Sequence, residues 1–425
     1  MPAPNEPVWL AAGVRTPFAK VDGAASRDDA IGLSVAVVRH MTAQALAKPD
    51  FAVWGAVAPN LAWSNIAREV LIDAGADPTI PAFSTVMACA TSMAAAFQAA
   101  GMIDGRSRNL ALVGGVESMS HVQVGLSQSF SDWMRRFQGQ RSLGDRIAHL
   151  NRLKPSDLKL FIPRVANRTT GMSMGEHTEI TAKEWKISRA EQDEVALASH
   201  RNAVAAWERG FFEDLVIEVA GQKRDSLPRK DTSLEKLAKL APAFDRTSGQ
   251  GTLTAGNSSP LTDGAAGLWV ASLDGLSRLP GTVARARLID YELTSIDLRH
   301  EGLLMAPAYG VPRLLARHGL TYADVGLWEI HEAFAAQLLA HIKAWQDTDF
   351  LRDKAGVENS FGAFPHERVN PNGGSLALGH PFGATGARIL SQAVKELSLM
   401  PPGTYGIVSI CADGGQGGMA LLQAG

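Results

Sequence analysis

Two cysteines and a histidine are the residues of this 425-residue chain best suited to covalent chemistry. Cys89 and Cys411 each lie where an apolar, strand-like run meets a stretch of very small residues. A helix that begins at such a cysteine brings free backbone N–H groups to the sulfur, and these favour the nucleophilic thiolate. His380 lies in a glycine-rich segment and could supply a base. The pattern predicts carbon–acyl chemistry at sulfur.

Each cysteine also has a plainer interpretation. A single cysteine is most often a small, buried apolar residue, and the similarity of the two contexts is what favours a reactive role. Neither cysteine has a second Cys or a His at the spacing of a metal site, so we expect no bound metal. Two cysteines cannot build a disulfide framework, and their number fits a reducing compartment.

The composition is typical of a soluble globular protein, with 46% hydrophobic residues, 20% charged residues and a net charge of −2. Since the basic excess that nucleic-acid binding needs is absent from the chain as a whole, no nucleic-acid partner is expected. The sequence has no apolar run of about 18 residues, and its first residues lack the features of a signal peptide. We therefore expect a cytoplasmic protein.

Short strand patterns alternate with longer helical patterns, which predicts an α/β fold with helices covering the faces of a sheet. Strands are predicted at 110–113, 406–410 and 419–422. An alanine-rich helix is predicted at 89–103. Ser188 and Glu191 form a capping-box pattern, which predicts a helix running to about Arg209 and ending before Gly210.

A segment of different composition lies in the middle of the chain. Residues 132–168 contain nine Lys or Arg and three Asp, interleaved with large apolar residues. Three pairs at helical spacing predict one or two amphipathic basic helices: Trp133/Phe137, Leu143/Ile147 and Leu150/Leu153. Two interpretations stay open, a solvated cover over the active site and a docking surface for a partner subunit or an anionic membrane.

Motifs along nearly the whole chain resemble those of the thiolase family. They are Val14-Arg-Thr-Pro-Phe18, Gly114-Gly-Val-Glu-Ser-Met119, Met174-Gly-Glu-His-Thr-Glu179, Thr254-Ala-Gly-Asn-Ser-Ser-Pro-Leu-Thr-Asp-Gly-Ala-Ala266, His331-Glu-Ala-Phe334, Asn372-Gly-Gly-Ser-Leu-Ala-Leu-Gly-His-Pro381 and Cys411-Ala-Asp-Gly-Gly-Gln-Gly417. The resemblance implies the thiolase fold, an α/β fold with duplicated βαβαβαββ halves in a five-layer αβαβα core. It also implies four parts: 1–121 and 244–280 form the N-terminal half, 122–243 an inserted loop domain over the active site and CoA, and 281–425 the C-terminal half.

The resemblance also implies a reaction, the CoA-dependent cleavage of a 3-ketoacyl-CoA in fatty-acid β-oxidation. Cys89 would attack the C3 carbonyl and keep the acyl group as a thioester, with His380 taking its proton. Cys411, as a thiol of ordinary pKa near ~8.5, would protonate the acetyl-CoA enolate. CoA would then remove the acyl group, so CoA is a substrate and no further cofactor is expected.

Two oxyanion sites are part of the same expectation. The backbone N–H groups of Cys89 and Asp413 would hold the oxygen of the acyl group on the nucleophile. His380 and a group held by His331 would hold the thioester oxygen of the CoA substrate. Asp413 stands where Gly or Ala is usual, and a carboxylate pointing inward would oppose the developing charge. We expect its side chain to point outward.

Several positions match the family's substrate contacts. Met174 and Ser259 correspond to positions along the pantetheine channel, and Arg229 to a position near the adenine or its phosphate. Phe244 and Phe334 correspond to apolar lining positions.

Many members of the family have Asn at the position of His331. A His at this position resembles the β-subunit of the fatty-acid trifunctional complex. That branch acts on medium to long acyl chains and pairs with a hydratase/dehydrogenase α-subunit. The family also implies a homodimer or a homotetramer.

Other functions stay open at this point. A short-chain acetyl-CoA acetyltransferase would use the same residues in the direction of condensation. A ketoacyl synthase or a hydroxymethylglutaryl synthase is disfavoured by the second cysteine, Cys411. A non-catalytic acyl-CoA-binding assembly subunit is a further alternative, although Cys89 and His380 are both present.

Overall fold

A large mixed sheet organises the chain, whose computed structural model describes residues 7–104, 108–358 and 360–425. The strands are β1 Val8–Ala11, β2 Ala19–Lys20, β3 Phe51–Ala56, β4 Ala82–Ser84, β5 Leu110–Glu117, β6 Gly125–Leu126, β7 Leu160–Phe161, β8 Thr262–Ala271, β9 Arg285–Ser295, β10 Val325–Ile330, β11 Tyr405–Ala412 and β12 Gln416–Ala424. The helices are α1 Ala30–Gln44, α2 Ile66–Asp73, α3 Thr91–Asp104, α4 Gln128–Gln138, α5 Leu143–Leu150, α6 Met174–Glu184, α7 Arg189–Glu208, α8 Leu234–Ala238, α9 Leu273–Leu276, α10 Ala306–Arg317, α11 Ala335–Gln346, α12 Ser375–Leu378 and α13 Phe382–Ser398.

Ten of the twelve described strands form one sheet in the order β10-β11-β12-β9-β1-β8-β5-β3-β4, with β2 paired to β8, and β6 and β7 form a separate pair. β3 is parallel to β4 and β5, and β10 is parallel to β11. The antiparallel pairing of β1 with β9, in which Val8 lies opposite Leu288, joins the two halves of the chain. In the second half a single parallel bridge between Val369 and Trp328 stands where β4 stands in the first.

Two helices fill the centre of the molecule. α3 and α13 pack against each other and share one apolar core with the sheet, which includes Met93, Phe97 and Leu390. α1 and α2 cover a second core around Trp54, while α10 and α11 cover a third around Trp328. α13 packs against β5 and β8 of the first half and against β9 and β11 of the second. The predicted α/β fold, with helices covering the sheet, is confirmed.

The elements predicted from the sequence are present with shifted ends. β5, β11 and β12 contain the three predicted strands, and α3 begins two residues after the predicted start at Cys89. The helix α7 is capped by Ser188 and Glu191, each bonding the other's backbone N–H, and Gly210 follows its end with a φ of 77°. The local capping chemistry therefore located this helix correctly.

The basic segment folds as a small arm between β5 and α6. It contains the two predicted amphipathic helices, α4 and α5, followed by β7, which pairs antiparallel with β6 just before the segment. α5 ends at Leu150, so the predicted pairing of Leu150 with Leu153 on one helix is wrong. In residues 7–104, 108–358 and 360–425, no helix combines the length and the apolar character needed to cross a membrane.

Candidate active site

Cys89 lies in a tight turn between β4 and α3. Ala88, which precedes it, has a φ of 44°, a left-handed conformation that is strained for a residue with a side chain. The hydroxyl of Thr91 holds the turn by donating to the Ala88 carbonyl at 2.7 Å and accepting from the Met87 N–H at 2.9 Å. The half-buried thiol of Cys89 therefore reaches a cavity from a fixed backbone position.

The resting Cys89 side chain is a neutral thiol. Burial raises the pKa of Cys89 to about 12, and the nearby carboxylate of Asp413 adds to the rise. The backbone N–H groups of Asp413 and of Cys89 itself lower the pKa, but by less than burial raises it. The expectation of a stabilised thiolate is therefore wrong.

Cys411 lies within β11 and is fully buried. The chain turns after it into the antiparallel strand β12, so the helix expected after this cysteine is not formed. Burial raises the pKa of Cys411 well above its usual value, and the charge of a Cys89 thiolate would raise it further. The ordinary thiol pKa expected for Cys411 is therefore wrong. The electrostatic interaction of Cys411 with Cys89 indicates that the two sulfurs lie near each other in one site.

His380 is held in a single orientation between α12 and α13. Gly379 precedes it with a φ of 97°, which a larger residue would adopt only with strain, and Thr262 accepts from the His380 backbone N–H at 3.1 Å. The hydroxyl of Thr385 donates to the Pro381 carbonyl at 2.9 Å, and its oxygen lies 2.7 Å from His380 Nδ1. Because Thr385 has one hydrogen and has already donated it, His380 Nδ1 must carry the ring proton. Nε2 of His380 is therefore an unprotonated acceptor.

His331 follows β10 and has the opposite tautomer. Ser375 Oγ accepts from Nη2 of Arg388 at 2.6 Å, since a guanidinium only donates. The remaining hydroxyl hydrogen of Ser375 is then available to His331 Nδ1, 2.9 Å away. This arrangement satisfies both groups and leaves the ring proton of His331 on Nε2.

The two imidazoles form a donor–acceptor pair facing the same space. Their ring centroids are 4.2 Å apart, and the Nε2 atoms of His331 and His380 are both buried without a hydrogen-bond partner among the described residues. Burial and the charge of Arg388 lower the pKa of His380 to about 3, and burial lowers that of His331 well below 6.5. Unpaired buried nitrogens of this kind mark places where a substrate atom completes the bonding.

A buried ion pair between Arg388 and Glu329 positions the groups that contact His331. Nη1 of Arg388 lies 3.3 Å from Oε1 of Glu329, and both side chains are about 1% exposed. Nε2 of Gln392 donates to both carboxylate oxygens of Glu329. Arg388 is therefore fixed on one side by Glu329 and donates from Nη2 to Ser375.

Asp413 faces the site, contrary to the outward orientation expected from the sequence. Its Oδ1 accepts from Nδ2 of Asn167 at 2.8 Å and from the Gly414 N–H at 2.7 Å, and the residue lines the same cavity as Cys89. Asn167 comes from the segment between β7 and α6, which reaches over the site at this point. The hydrogen bonds of Asn167 and Gly414 hold the carboxylate close enough to affect Cys89.

The cavity at Cys89, called here the Cys89 cavity, has a volume of about 430 Å³. Its walls are mostly apolar and include Met174, Phe382 and Leu261, together with Ile162 and Val165 of the segment before α6. A second cavity of about 450 Å³, the Arg229 cavity, is lined by Arg229, Phe244, Ser258 and Ser259.

Leu261 borders both cavities, so they are neighbours. Phe334 is buried and packs edge-on against Phe244, with ring centroids 5.8 Å apart. The residues predicted from the sequence to contact substrate therefore lie in or beside these two spaces.

Two family descriptions match this chain over nearly its whole length. Residues 8–274 match the family described as "Thiolase, N-terminal domain", and residues 282–424 match "Thiolase, C-terminal domain". The chain belongs to the thiolase family. As a thiolase, it is an acyltransferase, and its fold is the thiolase fold.

Individual relatives agree over the full length of this thiolase. It is 37% identical to a 3-ketoacyl-CoA thiolase of Yersinia enterocolitica, over 98% of this chain and 96% of that protein. A 3-ketoacyl-CoA thiolase of Shewanella pealeana is 36% identical, with 99% and 98% covered.

Two solved thiolase-fold structures superpose on this chain. The Acat5 thiolase of Ascaris suum in complex with coenzyme A has a TM-score of 0.80 at 27% identity, covering 99% of this chain and 100% of that one. The acetyl-CoA acetyltransferase of Bacillus anthracis has a TM-score of 0.79 at 29% identity, covering 99% of both chains.

The residues that orient the catalytic candidates were not among the site residues predicted from the sequence. Ser375 and Thr385 fix the two histidine tautomers, and Asn167 holds Asp413. Ser375 lies inside the motif that ends in His380, so its hydroxyl was a visible signal. Asn167 is 246 positions from Asp413, and their pairing had no local signal.

Proposed function

We propose that the protein is a 3-ketoacyl-CoA thiolase that cleaves its substrate with CoA, giving acetyl-CoA and a shortened acyl-CoA. The observation that carries the proposal is a pair of interacting thiols near a pair of unpaired imidazole nitrogens of opposite character. Phe382 links the two pairs, because it lines the Cys89 cavity and packs against the ring of His380. A carbon–carbon cleavage through a thioester needs a nucleophile, a base, an oxyanion donor and an acid for the carbanion. This site has one candidate for each.

Cys89 is the proposed nucleophile and His380 its base. The unprotonated Nε2 of His380 can accept the thiol proton, which Nδ1, held by Thr385, cannot. Because burial raises the pKa of Cys89 to about 12 and lowers that of His380 to about 3, the neutral thiol and the neutral imidazole are favoured over a preformed thiolate–imidazolium pair. Proton transfer therefore accompanies the attack of sulfur on the C3 carbonyl, when the negative charge moves onto the oxygen.

The proposed oxyanion donors match where that charge develops. The backbone N–H groups of Cys89 and Asp413 already face the sulfur, which supports a role in holding the oxygen of the group attached to it. His331 Nε2–H is a direct donor for the thioester oxygen of the departing enolate. His380 becomes a second donor to that oxygen once it has taken the proton of Cys89.

Cys411 is the proposed acid. When the C2–C3 bond breaks, the electron pair stays on C2 of the acetyl-CoA enolate, which takes the Cys411 proton. Burial raises the pKa of Cys411, yet a thiol remains far more acidic than the carbon it protonates. The CoA thiol then attacks the Cys89 thioester and gives its proton to the Cys411 thiolate, while Cys89 leaves as a thiolate and takes back the proton that His380 holds.

The two cavities support separate sites for the acyl chain and for CoA. We assign the acyl chain to the apolar walls of the Cys89 cavity. Met174, predicted to line the pantetheine channel, also borders this cavity and would contact the pantetheine end nearest Cys89. Arg229 and Ser259 in the neighbouring Arg229 cavity suit the charged and polar parts of CoA, with Phe244, backed by Phe334, as an apolar wall.

The main alternative is an acetyl-CoA acetyltransferase, because the fold of the Bacillus anthracis enzyme of that name is the same. An apolar cavity of about 430 Å³ is much larger than an acetyl group needs, which favours longer acyl chains. A non-catalytic acyl-CoA-binding subunit is disfavoured by the presence of every group of the proposed mechanism.

Thiolysis of 3-ketoacyl-CoA esters of short, medium and long chain length tests the proposal, with Cys89→Ala as the control. We expect cleavage that is faster for longer chains and absent in the variant. Cleavage of the shortest ester alone would favour the acetyltransferase. Tight acyl-CoA binding without cleavage at any length would favour the non-catalytic subunit.

Several wider expectations remain proposals. A homodimer or homotetramer, a hydratase/dehydrogenase α-subunit and a cytoplasmic location are expected from the sequence and the family. Across the described ranges, no group of three or more His, Cys, Asp or Glu side chains is placed to hold a metal ion. The proposed chemistry needs CoA as a substrate and no metal.

A further inference from the structure

Asp413 has a carboxylate oxygen that the protein leaves unpaired beside the nucleophile. Oδ1 accepts from Asn167 Nδ2 at 2.8 Å and from the Gly414 N–H at 2.7 Å. Oδ2 has no hydrogen-bond partner among residues 7–104, 108–358 and 360–425, and it is not fully enclosed by the protein. Since Asp413 lines the Cys89 cavity, Oδ2 is the oxygen left to accept from a molecule in that cavity.

The other oxygen of Asp413 is held by a side chain that is itself fixed. Asn167 is 6% exposed, and its Oδ1 accepts from the N–H groups of Thr169 at 2.9 Å and Thr170 at 3.1 Å. The backbone N–H of Asn167 donates to the Met172 carbonyl at 2.9 Å. Because its amide oxygen is already occupied, Asn167 must present its amide N–H to Asp413. The carboxylate is therefore preorganised, like the few polar groups that orient a ligand in a specific pocket.

The remaining walls of the Cys89 cavity are mostly apolar and include Val124, Ile162 and Leu261. A plain alkyl chain packed against Oδ2 of Asp413 would displace water from that oxygen without supplying a hydrogen bond, which costs binding free energy. An acyl chain with a hydroxyl group at the same place replaces the water by a charge-assisted hydrogen bond. A site with such an acceptor discriminates against substrates that lack the donor.

The position of Asp413 indicates which part of an acyl group its carboxylate meets. The backbone N–H of Asp413 hydrogen-bonds to the sulfur of Cys89, and the negative charge of its carboxylate also acts on that sulfur. Four bonds separate the backbone nitrogen of an aspartate from either carboxylate oxygen. Four bonds also separate a ketone oxygen on C3 from a hydroxyl oxygen on C5 of a 3-ketoacyl chain. The two groups of Asp413 thus match the two oxygens of a 5-hydroxy-3-ketoacyl group.

We propose that Asp413 is a specificity-determining residue that selects 3-ketoacyl-CoA esters with a hydroxyl group on C5. Oδ2 accepts from this hydroxyl while the backbone N–H of Asp413 holds the ketone oxygen. The rest of the chain lies against the apolar walls of the Cys89 cavity. Plain 3-ketoacyl chains remain substrates, but they are used less efficiently. The inference rests on the proposed function, because it names the substrate class of that reaction.

The charges around the cavity favour a neutral donor over an ionised acyl group. Arg164 lines the same cavity and is exposed, so its guanidinium opposes a cationic acyl chain. Asp413 opposes an anionic one. The pantetheine amides of CoA are another source of N–H donors, but every acyl-CoA carries them. A comparison of two esters that differ only in the hydroxyl therefore separates the acyl chain from CoA.

Thiolysis of 5-hydroxy-3-oxodecanoyl-CoA and of 3-oxodecanoyl-CoA tests the inference. In the wild type we expect kcat/KM to be at least tenfold higher for the hydroxylated ester, as for a hydrogen bond to a charged group. In Asp413→Ala, which has the small side chain usual in the family, the ratio of the two values should fall to near one. The ratio matters because the loss of the carboxylate also changes the reactivity of Cys89, and this change is common to both esters.

The matched control is Asp73→Ala, at an exposed carboxylate on α2, and it should keep the wild-type ratio. The melting temperature of each variant shows whether it is folded. Calorimetric binding of the two esters to the Cys89→Ala protein, which has no nucleophile, measures the preference with Asp413 intact and without turnover. There too the hydroxylated ester should bind at least tenfold more tightly.

The two proposals fail in different ways. Cleavage of both esters with a wild-type ratio near one would overturn the selectivity of Asp413 and leave the thiolase reaction standing. An equal loss on both esters in Asp413→Ala would also overturn it, since this result indicates contact with CoA or a purely structural role. Tighter binding of the hydroxylated ester with no cleavage of either would contradict the proposed function, while supporting Asp413 as the acceptor of the hydroxyl.

Discussion

Ser375 Oγ lies 2.9 Å from Nδ1 of His331, and this contact decides which nitrogen of that imidazole carries the proton. Since Arg388 donates to the same oxygen, the serine is left as a donor toward the ring. A neighbouring histidine, His380, receives the opposite assignment from Thr385. Two chemically identical side chains with ring centroids 4.2 Å apart thus become one acceptor and one donor.

Ser375→Ala should lower kcat roughly ten- to a hundredfold with a small change in KM, because His331 loses the hydrogen bond that keeps Nε2–H in place. Each tenfold change corresponds to about 1.4 kcal/mol of transition-state stabilisation. Steady-state thiolysis of a medium-chain 3-ketoacyl-CoA measures both constants. Ser375→Thr keeps the hydroxyl and should restore most of the rate. A fall in thermal stability with kcat unchanged would show that Ser375 has a structural role only.

Replacing each of the two cysteines with alanine should block a different step of the reaction. Cys89→Ala has no nucleophile and should form no acyl-enzyme. Cys411→Ala should still accept an acyl group from acyl-CoA onto Cys89, yet lose carbon–carbon cleavage by at least a hundredfold. Intact-protein mass spectrometry reports the acyl-enzyme, and the thiolysis assay reports cleavage. Full cleavage activity in Cys411→Ala would contradict its role as the acid.

Features of the fold and the site could be predicted from the sequence where the interactions that form them are between residues close together in the chain. The capping box at Ser188 and the motifs around Cys89 and His380 are local, and the structure places these segments as helix cap, turn and glycine-assisted loop. The pKa of Cys89 could not be predicted in this way, because it depends on residues far away in the chain. Burial reverses the expected thiolate state of Cys89, and burial is set by elements far apart in the chain.

The orientation of the Asp413 side chain also depends on a residue far away in the sequence. Its sequence context gave no reason to expect a partner 246 positions away, and the outward orientation was the natural expectation. The hydrogen bond from Asn167 turns the carboxylate toward the Cys89 cavity. Only the folded chain brings this residue of the segment after β7 to the loop after β11.

Asp413→Asn should make Cys89 more reactive toward iodoacetamide, because it removes a negative charge that raises the pKa of that thiol. Asparagine can still accept from Asn167, so the geometry is preserved. In a Cys411→Ala background Cys89 is the remaining cysteine. We expect alkylation at pH 8 to be roughly three- to tenfold faster, as for a pKa lowered by about one unit or less.

The matched control for this experiment is Asp73→Asn, at an exposed carboxylate on α2. It should leave the alkylation rate unchanged. An Asp413→Asn protein that reacts at the wild-type rate over the whole pH range would show that the carboxylate does not influence the sulfur.

The buried histidines should make the folded state sensitive to acid, and His341 offers a clean measure of the effect. Burial lowers the pKa of His341 to about 4, against 6.5 when unfolded, so the unfolded chain gains a proton between these values and the folded chain does not. Its contribution to the free energy of unfolding is therefore present above pH 6.5 and falls by about 2 kcal/mol between pH 7 and pH 5. Other buried groups oppose this trend, since burial raises the pKa of Glu117 to about 7. Their effect cancels when the free energies of unfolding of the wild type and a His341 variant are subtracted.

His341→Gln keeps a donor for the Leu304 carbonyl, which His341 Nε2 contacts at 2.8 Å. Urea unfolding at pH 7 and pH 5 should show the variant gaining that amount relative to the wild type on acidification. An equal loss of stability in both proteins would contradict the assignment of a neutral, buried His341.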